Sequence, residues 1–104
     1  MELGVALDAT LLRLETVTRR LRVEPEAGTV LAYATTYLEA TGHIVIAWMW
    51  LEQFMTAVGD DPFYAGKRQA ARYFFAHELP RTAHQLDALE RLDQTVTRTA
   101  VEWL

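Results

Sequence analysis

Apolar residues recur at steps of three and four along most of the chain, the spacing of amphipathic helices. In the first segment Leu3, Leu7, Leu11, Leu14, Val17 and Leu21 form one stripe, which ends before Glu24–Pro25 because proline pushes the preceding residue out of helical backbone. The second stripe reads Val30, Ala34, Tyr37, Thr41, Ile44, Trp48, Leu51, Met55 and Val58, with Leu31, Leu38, Val45 and Phe54 widening it. Gly59–Asp60–Asp61–Pro62 then supplies a helix stop, a cap and a first-turn proline. A third stripe runs through Tyr64, Ala71, Phe75, Leu79, Thr82, Leu86 and Leu89, and Pro80 within it predicts a kink.

The expected fold is a single all-α domain over residues 1–104. It is an antiparallel bundle of helices at about 3–22, 25–58 and 61–92, with an irregular tail rich in threonine and valine. Trp103 is expected to fold back onto the bundle. Gly42, in the middle of the second helix, is expected to mark the close approach of a neighbouring helix. That second helix has no lysine or arginine between Ala27 and Gly59, and only Glu39 and Glu52 carry charge. A helix apolar around most of its circumference belongs inside a structure, or against another protein surface.

Composition narrows the chemistry. The formal net charge of −4 and the lack of a dominant basic face argue against nucleic-acid binding; the Arg19, Arg20 and Arg22 cluster reads as a solvated helix end. With no cysteine and no serine, thiolate metal sites, disulfides and serine nucleophiles are excluded. The longest apolar run, Ile44–Leu51, is far short of the ~20 residues of a membrane span, and Glu2 and Asp8 break up any leader-like pattern. A soluble, cytoplasmic chain is expected. His77–Glu78 begins like a zinc-protease motif, but Arg81 stands where the second histidine belongs. Glu39 and His43 share a helix face without the further inward carboxylates a di-iron centre needs. No glycine-rich phosphate loop occurs, so no catalytic, cofactor or metal site is expected in this chain. The candidate interface or pocket residues are Tyr37, His43, Trp48, Trp50, Lys67, Arg72, Phe74 and Trp103. The two tryptophans could line an apolar pocket, and the two cations could grip an anionic group on a partner.

Several short motifs carry a resemblance. Ala34-Thr35-Thr36-Tyr37-Leu38 is followed by Gly42-His43 and Ala47-Trp48; then come Phe63-Tyr64-Ala65-Gly66-Lys67, Ala71-Arg72-Tyr73-Phe74 and Leu79-Pro80-Arg81. In this order and spacing, from about Leu11 to Trp103, they resemble the helical domain at the C-terminus of a subgroup of acyl-CoA dehydrogenases. The resemblance implies a complete enzyme that is an FAD-dependent flavoprotein oxidising an acyl-CoA thioester, with its glutamate base and flavin site in a main body upstream. No residue here matches those positions. What it implies for this chain is a non-catalytic accessory module that packs on the flavoprotein body or its oligomer interface. A freestanding bundle that pairs with itself through the second helix is the alternative, as is a small binder of acyl chains near Trp48 and Trp50.

Overall fold

The computed structural model describes residues 2–104, which are helical for most of their length, with no strand among them. Helix α1 spans Glu2–Val23, α2 Ala27–Ala32, α3 Ala34–Thr56, α4 Pro62–Tyr73 and α5 Arg81–Arg91. A π-helical turn, Phe74–Glu78, joins α4 to α5, and a single 3-10 turn, Val101–Trp103, lies in the tail. The predicted all-α bundle is therefore present. Its second helix is divided in two and its third is bent.

The division falls at Tyr33, whose backbone (φ −105°, ψ 6°) leaves the helical region. Its hydroxyl donates to the carbonyl of Asp93, and its ring packs against Val17, Leu86 and Leu89. Holding that ring over the end of α5 takes one residue out of helical register. The neighbours Thr35 and Thr36 resist this little, being weak helix formers.

The bend is where Pro80 predicts it. Proline at this position would press on the carbonyl of Ala76 in an unbroken α-helix. The π turn relieves that contact by inserting an extra residue, so the Leu79 N–H donates to the Phe74 carbonyl at 2.9 Å, five residues back. Thr82 then caps the turn from within, its buried hydroxyl donating to the Leu79 carbonyl at 2.7 Å. At its far end α5 closes on Leu92 in the left-handed region, at φ 47°.

Asp61 accepts from the Phe63 N–H at 2.8 Å and Pro62 occupies the first turn of α4, as the local sequence predicts. Gly59 takes the positive φ (98°) that the short reversal needs. Arg68 on α4 reaches back to close α3, donating to the carbonyls of Ala57 at 2.6 Å and Gly59 at 2.9 Å. Those carbonyls lie at the helix end, where no intrahelical donor remains. Arg68→Ala is expected to cost ~1–2 kcal/mol in a urea titration. Arg68→Lys should recover only part of this, because an ammonium cannot span two carbonyls as a fork does.

Two contiguous apolar clusters hold the helices together. Leu7, Ile44, Ala47, Phe75 and Leu79 form one, where α1, α3 and the π turn meet. Val17, Ala40, Leu86 and Leu89 form the other, between α1, α3 and α5. Both α3 members nearest the crossings, Ala40 and Ala47, are fully buried and small, which lets the neighbouring backbones approach. On the rim Arg13 of α1 pairs with Asp87 (2.7 Å) and Glu90 (3.1 Å) of α5. The Cα envelope measures 63 × 28 × 15 Å with a radius of gyration of 17.6 Å, well above the ~13 Å of a compact chain this long. The bundle is a thin slab.

The structure also departs from the predicted stripes, in which Leu11 and Tyr64 are exposed, and from the expected tail. The buried side of α3 runs through Ala40, Ile44 and Ala47, rotated from the predicted stripe, so Trp48 and Met55 are exposed. Gly42 makes no close helix approach, since a Cβ placed there would meet nothing within 4 Å. Trp103 does not fold back and is 73% exposed. Tail anchoring stops at Gln94, whose amide donates to Thr29 at 3.2 Å. Just before it, the Asp93 carboxylate binds the Thr95 hydroxyl and N–H, which hold it below the usual carboxylate range.

Candidate interaction surface

Helix α3 has two unlike sides. Its inner side is tied into the bundle by α1, α4, α5 and the π turn. On its outer side Leu38, Gly42, Val45 and Met49 succeed one another at steps of four, three and four, so they fall on one line. Leu38 is 71% exposed, and Val45 and Met49 about half. Ile46 and Trp48 flank the line, and Leu31 of α2, 73% exposed, extends it past the Tyr33 break. No charged residue stands on this line between Leu31 and Glu52; Glu39 is turned aside, accepting from Gln85 of α5 at 3.2 Å.

Each end of the face opens into a shallow groove. Near α2 a groove of about 620 Å³ is walled by Leu21, Val30, Leu31, Tyr37 and Leu38, with Arg22 at its edge. The Tyr37 and Thr18 hydroxyls share a hydrogen bond of 2.7 Å in its wall, so the groove presents mainly carbon. At the other end a groove of about 670 Å³ lies among Trp48, Met49, Leu51, Met55 and Glu52.

The eight candidate residues do not converge. Tyr37 lines the first groove and Trp48 the second. Trp50 points elsewhere, packing beside the first core cluster, with the Lys67 ammonium 5.9 Å from its ring. Lys67 is also 5.4 Å from Phe63, and Arg72 lies 5.2 Å from the Phe54 ring, so both cations rest on aromatic faces. His43 is half-buried with Nε2 3.6 Å from the Glu78 carboxylate, and Phe74 stands 6.1 Å from its ring. Trp103 is remote from all these contacts, on the exposed tail. Leu31, Leu38, Val45 and Met49 are not among the candidates, although the want of charge along the second helix signals them.

Among the described residues no group of three histidines, aspartates or glutamates stands close enough to hold a metal ion, and no helix is long and apolar enough to cross a membrane. The family model described as acetyl-CoA dehydrogenase C-terminal like matches residues 1–100. The chain belongs to this family. No curated protein and no solved structure matches it. FAD, which the resemblance implies for the complete enzymes, finds no diphosphate site in either groove of the α3 face. A dinucleotide diphosphate needs several converging N–H donors or cations, whereas one groove offers Arg22 alone and the other a carboxylate.

Proposed function

We propose that this acetyl-CoA dehydrogenase C-terminal-like domain is a non-catalytic interaction module that packs on an FAD-dependent acyl-CoA dehydrogenase body or at its oligomer interface. The observation that carries this reading is the outer face of α3, where Leu31, Leu38, Val45 and Met49 stand exposed in one uncharged stripe. Contiguous apolar surface of this kind marks a contact with another protein. The separation of Tyr37, Lys67 and Arg72 from His43 also supports it, since catalysis needs its acid, base and binding groups within hydrogen-bond reach of one reacting centre. Of the two tryptophans near which an acyl chain could bind, only Trp48 borders the groove, so they do not form one pocket together.

The test is to recover the domain from its native source and measure intact mass and flavin absorbance, with and without Val45→Asp. The domain is expected to be recovered with a flavoprotein dehydrogenase polypeptide, covalently continuous or associated. Val45→Asp should loosen that packing without unfolding the bundle. Stoichiometric FAD and acyl-CoA oxidation by the 104-residue chain alone would overturn the reading.

A further inference from the structure

The charges at the two ends of the α3 face say what covers it. Arg22 is the one charged residue lining the groove near α2, and Glu52 the one lining the groove near the end of α3. Neither has an ion-pair partner among the described residues. Between them the face is uncharged, with Thr35 a polar member of the line. A surface with a cation at one end and an anion at the other is complementary to itself when turned end for end.

We propose that α3 pairs with α3 of a second copy of this chain, antiparallel, across a two-fold axis passing between Gly42 and Val45. The pairing rests on the reading of the chain as an interaction module and names its partner. In this register Leu38 meets Met49 of the partner subunit, and Gly42 meets the partner's Val45. Arg22 is then brought to the end of the face that carries Glu52 of the partner subunit. Gly42 sits beside the axis, where the want of a Cβ lets two helices close together; within one chain that space is open. The exposed parts of Leu31, Leu38, Val45 and Met49, which lie on the facing line, amount to roughly 400–500 Å² per copy, and the near edges of Ile46 and Trp48 extend this toward the ~800 Å² each partner brings to a standard interface. Antiparallel α3 helices also oppose their dipoles favourably.

Sedimentation equilibrium of the 104-residue chain at micromolar concentrations tests this, with circular dichroism to monitor folding. The parent is expected to be a dimer. Gly42→Leu should weaken it ~100-fold or more while the helical signal and unfolding midpoint, measured at a concentration where both proteins are monomeric, hold or rise, because leucine is the better helix former. Arg22→Glu and Glu52→Arg should each weaken the dimer ~10-fold, and the chain carrying both should recover. A parent that stays monomeric overturns the pairing, as does a dimer indifferent to Gly42→Leu. Failure of the doubly exchanged chain to recover overturns the antiparallel register. A monomer that still packs on a dehydrogenase body leaves the module reading standing without the pairing. A Gly42-sensitive dimer that never accompanies such a body does the reverse.

Discussion

Phe75→Ala is expected to lower the free energy of unfolding by about 3–5 kcal/mol. Phe75 lies in the π turn and is buried against Leu7, Ile44, Ala47 and Leu79, so one ring joins α1, α3 and the bend. The cavity left by truncation cannot close easily. Its floor is Ala47, which has no rotamers with which to fill space, and the bend above it is held by the Leu79–Phe74 backbone bond. A domain this size has only about 5–15 kcal/mol in total, and its slab shape gives it a thin core. In thermal unfolding followed by circular dichroism the midpoint should fall by on the order of 20 °C. Val5→Ala, on the exposed side of α1, should change stability by no more than ~0.5 kcal/mol. A Phe75→Ala protein as stable as this control would mean that the ring is not seated between α1 and α3.

Leu86→Ala should cost about 2–5 kcal/mol, at the other end of the molecule. Leu86 is 1% exposed and packs with Val17, Ala40 and Leu89, where α5 crosses α1 and α3. Urea titration reads this loss as a lower midpoint at unchanged slope, since the surface exposed on unfolding is nearly the same. The adjacent Arg13 contacts to Asp87 and Glu90 are partly exposed and water-screened, so they should not offset the lost packing. A change below about 1 kcal/mol would show that the α1–α5 contact is loose and that the first cluster carries the fold alone.

Much of this architecture is written locally. Asp61 and Pro62 start α4, Gly59 reverses the chain before them, and Pro80 bends the path from α4 into α5, each through backbone geometry that its near neighbours suffice to set. The inner stripe of the third helical segment is legible for a related reason. Ala71, Phe75, Leu79, Thr82, Leu86 and Leu89 are buried in the order predicted, because charged and amide side chains interrupt the other faces from Lys67 onward; Tyr64, the first member of the predicted stripe, is 43% exposed. The family too is legible in the sequence, since its model matches residues 1–100.

The second helix is different. Apolar residues surround it almost completely, so periodicity cannot say which of them face the bundle. Tertiary packing chose Ala40 and Ala47 for the crossings, because small residues let α1 and α5 approach at Ala40 and α1 and the π turn at Ala47, and thereby turned Leu38, Gly42, Val45 and Met49 outward. The break at Tyr33 was equally out of reach, since it depends on the Asp93 carbonyl 60 residues away. Trp103 depended on whether anything lay within reach of a tail anchored no further than Gln94. Caps, turns and amphipathic spacing act over a few residues, so the three helical segments, their outer ends and the proline bend are legible locally. Which side of α3 is core and which stays exposed is settled by packing, because it depends on the shapes of helices distant in the chain.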